Sequence, residues 1–510
     1  MGAKADFTVT VSKEEILAAV LPLQQHWLPL SNLDLILPPV NVGVFFCYKK
    51  PEGSIVSFTS MASVLKEAMA QTLVYYYAFA GEVVANTVGE PELLCNNRGV
   101  DFAEAYADVE LRDLDLHNPD ESIEGKLVPE KKHGVLSVQA TELRCGGIVV
   151  ACTFDHRIAD AYSANMFLVS WAEMARFKSI SLVPSFQRSL MNPRRPGCIA
   201  PSLDHMYVPI SSLPPPKQQR QSTDHLISRI YYITSEQLNE FQSLACTNGY
   251  KRTKLESFSA FLWKLIAVLA AKDGFNCTKM GIVVDGRVRL GEGDEEKASS
   301  MSCYFGNVLS IPFAGQRVSE LIEKPLWWVA NQMGIVVDGR VRLGEGDEEK
   351  ASSMSCYFGN VLSIPFAGQR VSELIEKPLW WVANQVHDFL EQAVTKEHFL
   401  GLIDWVEAHR PEPALSKIYS NGSEEGPAFV VSSGQRFPVS KVDFGWGRPV
   451  LGSYHFPWGG DSGYVMPMPS PGREGDWVVY MHLLKRQLEL IEAEASDVLR
   501  PLTSDYLELD

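Results

Sequence analysis

Residues 148–176 read IVVACTFDHRIADAYSANMFLVSWAEMAR, and this stretch decides the fold of the first half of the chain. The apolar run 148–153 predicts a buried strand, paired in a hairpin with residues 134–141 across a Cys-Gly-Gly turn. Apolar side chains at helical spacing predict a helix from about residue 159 to 176. A turn between a buried strand and a helix commonly carries reactive side chains, and here it carries His156.

His156 and Asp160 form an HxxxD pattern in that turn. A histidine that titrates near neutral pH suits a general base for a hydroxyl, which contributes about 10²–10⁴ in rate. If residues 156–160 were helical, Asp160 would lie on the same face and orient the imidazole. With eleven histidines in the chain, the pattern also arises by chance, and a satisfied structural histidine is the alternative.

Strands and helices alternate in both halves, which predicts a mixed α/β or α+β layered architecture. Eight prolines between residues 182 and 217 predict an extended crossover linker. We expect an N-terminal domain over 1–181, the linker over 182–225 and a C-terminal domain over 226–510. The further predicted elements are strands at 7–11, 44–48, 226–234, 282–284, 429–432 and 477–483, and helices at 61–77, 235–245, 255–271 and 484–495.

The composition argues against several classes of function. The 510 residues carry 46 Lys and Arg against 62 Asp and Glu, a net charge of −16. No basic stretch points to nucleic acid, and no apolar run predicts a membrane span or a secretory signal. Nine scattered cysteines without a CxxC pair indicate free thiols and predict a cytoplasmic protein. Neither HExxH nor GxSxG is present, so we expect no metal and no serine nucleophile.

One segment occurs twice. Residues 280–332 recur unchanged as 333–385, two identical copies of 53 residues. A recent duplication or a gene-model error explains this best, and two functional repeats are the alternative. Removing any 53-residue window between Met280 and Gln385 leaves the same chain of 457 residues. The sequence therefore leaves open which copy enters the fold, and the surplus copy exposes apolar side chains.

A second motif, Asp443-Phe444-Gly445-Trp446-Gly447, occurs in the same chain as the HxxxD pattern and is much less common by chance. With HxxxD and DFGWG together, the chain resembles the plant BAHD acyltransferases. Further landmarks of that family are LSNLD at 30–34, YYAFAG at 76–81, DGR at 285–287 and YFGN at 304–307. The resemblance covers nearly the whole chain.

The resemblance implies two chloramphenicol-acetyltransferase-like domains joined by a long crossover loop, with the active-site channel between them. His156 would take a proton from an acceptor hydroxyl, which attacks the thioester of acyl-CoA directly, without an acyl-enzyme. Acyl-CoA is then a co-substrate rather than a resident cofactor. The resemblance also implies a monomer whose partners are small molecules.

The resemblance also assigns structural roles. Asp160 would point away from the channel and pair with an arginine. Asp443 would pair with the DGR arginine, either Arg287 or Arg340 because of the repeat, and Trp446 suits a buried anchor. Many members carry a channel-lining tryptophan upstream of DFGWG, but Gly434 stands there, so we expect a wider pocket that lacks an indole donor.

Coenzyme A is anionic, and this acidic chain must supply local cations. The candidates are Lys251, Arg252, Lys254 and Ser257 at a predicted helix start; a solvated basic turn is the alternative. Stretches 92–101 and 156–166 resemble members that acylate coniferyl alcohol, and shikimate or quinate is the alternative acceptor. A catalytically defective protein, caused by the insertion, is the alternative of another class.

Overall fold

The structure is a computed structural model that describes residues 7–51, 56–212, 224–245, 252–275, 277–310, 313–317, 395–419, 426–459 and 462–509. The first part of the chain comprises β1 Val9–Leu17, β2 His26–Pro29, β3 Asn41–Tyr48, α1 Phe58–Tyr75, β4 Glu82–Ala85, β5 Pro91–Cys95, β6 Val100–Ala107, α2 Pro119–Ser122, β7 Leu136–Leu143, β8 Ile148–Asp155, α3 Ala161–Ala175, α4 Leu203–Met206 and β9 Tyr207–Pro209.

The second part supplies the remaining described elements. They are β10 Leu226–Ile233, α5 Ser235–Ala245, α6 Lys254–Lys272, β11 Cys277–Ile282, β12 Val284–Asp285, α7 Arg287–Gly291, α8 Glu295–Ser302, β13 Leu309–Ser310, β14 Phe313–Arg317, α9 Lys396–His409, β15 Ala414–Ser416, β16 Ala428–Val431, β17 Leu451–His455, β18 Gly463–Pro469, β19 Trp477–Leu484, α10 Lys485–Glu494 and β20 Arg500–Pro501. The predicted helices and strands are found with shifted bounds, except that the strand predicted at 282–284 spans the break between β11 and β12, where Val283 belongs to neither strand.

The first sheet holds the HxxxD hairpin. Its described strands run in the order β1-β6-β7-β8-β3-β17, and β7 pairs antiparallel with β8, as the sequence predicts. Every residue of β8 is buried, because α1 and α3 contribute to the same hydrophobic core as the sheet. A strand buried on both faces reads as a continuous apolar run rather than an alternating one.

The second sheet has the order β14-β11-β16-β18-β19-β10-β20 among the described strands. Helices α5, α6 and α10 cover it and bury Trp263, Phe258 and Ile491 in a separate core. The architecture is therefore mixed α/β with two domains, each built around its own sheet.

Strand β17 corrects the predicted boundary between the domains. It belongs to residues 226–510 by sequence, yet it pairs antiparallel with β3 at the edge of the first sheet, with Leu451 opposite Cys47 and His455 opposite Gly43. All five of its residues are buried, so both faces of the strand require the packing that this sheet provides. The second half of the chain thus completes the sheet of the first half.

The proline-rich crossover is docked rather than free along its described part. Strand β9 pairs with β15, and Arg194 lies 2.7 Å from the carboxylate of Asp404 in α9. The same carboxylate accepts a hydrogen bond from the backbone of Cys198. The prediction of a simple extended linker is wrong for this part, while residues 213–223 lie outside the described structure.

The first copy of the repeat enters the fold through residues 280–310 and 313–317, which include β12, α7, α8, β13 and β14. The second copy, 333–385, lies outside the described residues, and with it Arg340. In the described part of the chain, no helix has the length and apolar character needed to cross a membrane.

Candidate active site

His156 sits at the end of β8, where the sheet gives way to the turn before α3. Its backbone N–H donates to the carbonyl of Val40 at 3.0 Å. The next residue, Arg157, folds back so that its guanidinium meets the Asp155 carboxylate at 3.0 and 2.6 Å. These contacts hold the backbone on both sides of the imidazole.

The imidazole of His156 has one buried and one accessible edge. The residue is partly exposed, whereas Nδ1 is fully buried and has no hydrogen-bond partner among the described residues. Nε2 is therefore the nitrogen that can face a reactant. The Phe456 ring packs edge-on at 6.2 Å between centroids. Burial lowers the pKa of His156 below its usual 6.5, and the neighbouring Asn307 amide acts in the opposite direction.

Asp160 does not orient the imidazole. Its Oδ1 accepts the backbone N–H of Ser163 at 2.7 Å and caps the N-terminus of α3, as aspartate commonly does. Its Oδ2 accepts from Nη2 of Arg287 at 3.0 Å. Burial raises the pKa of the Asp160 carboxyl to about 7, while the positive charge of Arg287 acts against that rise. Both oxygens are engaged away from His156.

Arg287 joins two parts of the chain under the turn that carries His156. Its side chain and that of Asp160 are both 0% exposed, and the same Nη2 donates to the carbonyl of Gly306 at 3.1 Å. The Ser163 hydroxyl donates to that carbonyl as well, at 3.2 Å. Arg287 therefore pairs with the HxxxD aspartate, and the expected Arg287–Asp443 pair is wrong.

Two family landmarks that are far apart in sequence meet beside this turn. The backbone N–H of Asn307 donates to the buried carboxylate of Asp34, which also accepts from the backbone of Ser31 at 2.7 Å. The Asn307 side chain is fully buried. Only tertiary contacts bring Asn307 next to His156, so no local pattern in the sequence predicts that they are neighbours.

Asp443 of DFGWG pairs with Arg176, at the opposite end of α3. Nη1 of Arg176 lies 3.2 Å from Oδ2 of Asp443, and Oδ1 accepts the backbone N–H groups of Gly445 and Gly447 at 2.8 and 3.1 Å. Arg176 directly follows α3, and about 22 Å of helix separates it from Asp160 at 1.5 Å per residue. Asp443 therefore lies at the opposite end of α3 from the HxxxD turn.

The aromatic residues of DFGWG anchor the same loop. Phe444 packs edge-on against Trp171 of α3 at 4.7 Å, and Trp446 lies against Phe444 at 5.6 Å and Tyr48 at 6.1 Å. The Tyr48 hydroxyl donates to the carbonyl of Val442 at 2.8 Å. The anchor role predicted for Trp446 fits these contacts.

Gly434 does not open a space in the pocket. A Cβ at this position would lie 2.6 Å from Cγ of Met468, 2.8 Å from the carbonyl oxygen of Pro467 and 2.9 Å from Cγ of Met466. The expectation of a wider pocket is therefore wrong: strand β18 already fills the space next to the glycine.

The predicted coenzyme A residues lie at the start of α6, apart from Lys251, which is outside the described residues. Thr253 caps this helix and Lys254 is its first residue. The Ser257 hydroxyl is buried and donates back to the carbonyl of Thr253 at 2.9 Å. Within the described structure no hydrogen bond or ion pair links this helix start to His156.

A second group of cations, which the sequence patterns did not predict, borders the turn that carries His156. A recess of about 540 Å³ is lined by Arg98, Lys131, Lys132, His133 and Arg157, with Glu82 and Asp155 as the opposing acids. Lys131 is half-buried, and burial lowers its pKa. Arg98 pairs with Asp101 at 2.8 Å and Arg157 pairs with Asp155 at 2.6 Å. The attraction of this recess for an anion therefore depends mainly on Lys131 and Lys132.

Comparisons with known proteins identify the family. The Transferase family profile matches residues 7–341 and 330–498, two segments that overlap inside the repeated region. Shikimate O-hydroxycinnamoyltransferase of Nicotiana tabacum is 24% identical over 491 residues, covering 93% of this chain and 96% of its own. Hydroxycinnamoyltransferase of Narcissus pseudonarcissus is 26% identical over 446 residues, covering 84% and 86%.

Solved structures share the fold. Vinorine synthase superposes with a TM-score of 0.60 at 18% identity, covering 98% of this chain and 100% of its own. The F. sporotrichioides TRI101 complex with coenzyme A and T-2 superposes with a TM-score of 0.64 at 15% identity, covering 93% and 99%. The chain belongs to the Transferase family of BAHD acyltransferases and is an acyl-CoA-dependent O-acyltransferase.

Proposed function

We propose that the protein transfers an acyl group from acyl-CoA to the hydroxyl of a phenylpropanoid alcohol of the coniferyl alcohol type, with His156 as general base. The observation that carries the proposal is the half-accessible imidazole at the end of β8, whose Nδ1 is buried while Nε2 is left for a reactant. Burial lowers the pKa of His156, so the ring is neutral and able to accept a proton at pH 7.

In the proposed mechanism, Nε2 of His156 removes the acceptor's hydroxyl proton as the oxygen attacks the thioester carbonyl. The tetrahedral intermediate then collapses and the carbon–sulfur bond breaks. The coenzyme A thiolate takes the proton back from the imidazolium, which leaves an ester, free coenzyme A and neutral histidine. Asp160 and Arg287 hold the turn that carries the base.

The test is thiol release by the purified 510-residue chain supplied with acetyl-CoA and coniferyl alcohol. His156→Ala should lose about 10²–10⁴ of the rate, which is the usual contribution of a general base. His26→Asn, an exposed histidine, is the matched control and should keep full activity. An unchanged rate in His156→Ala would refute the assignment of the base.

Shikimate or quinate as the acceptor is the second candidate, favoured by the name of the Nicotiana tabacum relative. Supplying p-coumaroyl-CoA with shikimate in the same assay separates the two acceptors, because the preferred pair gives the higher kcat/KM. A chain that is inactive with every pair, beside an active 457-residue form, would favour the defective-insert hypothesis. Against that hypothesis, the described part of the first copy already supplies the arginine that pairs with Asp160.

Two groups of cations are candidates for binding the phosphates of coenzyme A. One is at the start of α6, with Arg252 and Lys254, and the other lines the recess beside the catalytic turn. Lys254→Glu should raise the KM for acyl-CoA if the first group binds its phosphates, and Lys132→Glu should do so if the second does. Cytoplasmic location and a monomeric state remain predictions from the sequence.

A further inference from the structure

A buried histidine that forms no hydrogen bond through its ring within the described structure lies at the junction of the two domains. His455 ends β17, and its side chain is 2% exposed. Neither Nδ1 nor Nε2 has a hydrogen-bond partner in the described part of the chain. A neutral imidazole carries one donor and one acceptor, and leaving both unsatisfied in the interior costs free energy. The site therefore calls for a ligand.

Two carboxylates converge on this histidine from the segment that follows β6. Donor atoms of Asp120, Glu124 and His455 all lie within 4.8 Å of one another, and Nε2 of His455 is 3.9 Å from Oε2 of Glu124. Side by side, the two carboxylates repel each other. A cation among the three groups would remove that repulsion and satisfy the imidazole.

The Asp120 carboxylate is already oriented for such a role. Its Oδ2 accepts the backbone N–H of Ser228 in β10 at 2.6 Å, while its Oδ1 is buried and has no hydrogen-bond partner among the described residues. A carboxylate fixed through one oxygen, with the other left available, is the arrangement that outer-shell hydrogen bonds give to metal ligands. Glu124 is 51% exposed and leaves a route to solvent.

We propose that Asp120, Glu124 and His455 bind one divalent transition-metal ion of the Zn²⁺ class. Zinc takes imidazole nitrogen and carboxylate oxygen at about 2.0–2.2 Å, so each donor atom needs to move inward by roughly 1 Å. Water would fill the fourth position. This inference goes beyond the acyl transfer proposed above and does not depend on it.

The site would tie the second half of the chain to the first, because β17 lies at the edge of the first sheet. Asp120 and Glu124 belong to the first half of the chain, and His455 belongs to the strand that the second half contributes. The next residue, Phe456, packs against the His156 ring at 6.2 Å, and its backbone N–H donates to the Tyr480 hydroxyl at 3.0 Å. A bound cation would hold the end of β17, and Phe456 with it.

The experiment is metal binding by the purified full-length chain after removal of metal with a chelator. Equilibrium dialysis against Zn²⁺, followed by elemental analysis, should give one ion per chain. Co²⁺ at the same site should show ligand-field absorption without the thiolate charge-transfer band that cysteine ligands produce. Glu124→Gln should weaken Zn²⁺ binding at least 10-fold, and Glu121→Gln, an exposed neighbour, should leave it unchanged.

Because Glu124 is half-exposed, its variant should fold like the parent chain, which far-ultraviolet circular dichroism checks. Zn²⁺ should raise the thermal midpoint of the parent and of Glu121→Gln, but not that of Glu124→Gln. His455→Gln and Asp120→Asn should lose binding as well. Less than one ion per chain in the parent, or equal Zn²⁺ affinity in Glu124→Gln, would overturn the proposal.

Discussion

Helix α3 carries one aspartate–arginine pair at each end, and the two pairs differ in almost everything except chemistry. At the N-terminal end, Asp160 and Arg287 lie 3.0 Å apart and are both 0% exposed. At the C-terminal end, Arg176 and Asp443 lie 3.2 Å apart and are 38% and 20% exposed. The first pair lies under the turn that carries His156, and the second holds the DFGWG loop, about 22 Å away along the helix.

The difference shows that the contribution of a motif aspartate to the free energy of unfolding depends on how deeply its ion pair is buried. Removing one partner of a buried pair leaves an uncompensated charge in the interior and costs about 3–5 kcal/mol. An exposed pair is screened by water and contributes about 0–1 kcal/mol. Four predictions test the contrast, and they are ordered by the size of the expected effect.

The largest effect is expected from Arg287→Met. It leaves the Asp160 carboxylate buried without its cation, so the free energy of unfolding should fall by about 3–5 kcal/mol, and thiol release should fall with it. Urea unfolding measures the first quantity. Adding Asp160→Asn to this variant should recover part of the loss, and a double variant that is no more stable than Arg287→Met would contradict the account.

The second-largest loss of stability is expected from Gly445→Ala. Gly445 has a φ of +113°, a backbone conformation that costs a residue with a Cβ about 1–3 kcal/mol, and its N–H is held by Asp443. The thermal midpoint measures the loss. The matched control is Gly472→Ala, since a Cβ there meets no atom within 4 Å and its φ is not in that range; an equal loss in both variants would refute the conformational explanation.

Arg176→Ala should cost no more than about 1 kcal/mol, because the ion pair is partly exposed. High salt should reduce the difference between variant and parent further, since salt screens exposed charges. The measurement is urea unfolding at low and high ionic strength. A loss as large as that of Arg287→Met would mean that the two ends of α3 are equivalent, contrary to their burial.

The smallest effect concerns pH. Because the pKa of His156 is lowered, the neutral base persists as pH falls, and kcat/KM should drop only below pH 6.5. Arg176→Ala should leave this acid limb in place, since the arginine is far from the imidazole. A profile of kcat/KM from pH 4.5 to 8 in both proteins checks the prediction; a limb above pH 6.5 would contradict the burial of His156.

Much of the local structure follows from the sequence. The apolar run before His156 and the helical spacing after it predict β8 and α3 to within a few residues. The helix start differs, because Asp160 is an ordinary N-cap residue and α3 begins at Ala161 rather than at about residue 159. Both elements are nevertheless predicted, since hydrophobic periodicity acts over a few residues.

The pairing of residues that are far apart in sequence was predicted less accurately than the helices and strands. The family resemblance assigned the DGR arginine to Asp443, but the fold places Arg287 against Asp160 and leaves Arg176 for Asp443. No periodicity encodes such pairings, because they depend on how the two sheets pack. Likewise, the absence of a side chain at Gly434 suggested open space. The sequence around it does not show that Met466 and Met468 of another strand fill that space.

Strand β17 has a consequence for synthesis of the protein on the ribosome. Its partner β3 ends at Tyr48, but the chain must reach His455 before that edge of the first sheet can be paired. At about 5–20 residues per second, roughly 20–80 s pass between the two events. Throughout that time β3 presents an unpaired apolar edge to other nascent chains, and each 53-residue copy of the repeat lengthens the delay by about 3–10 s.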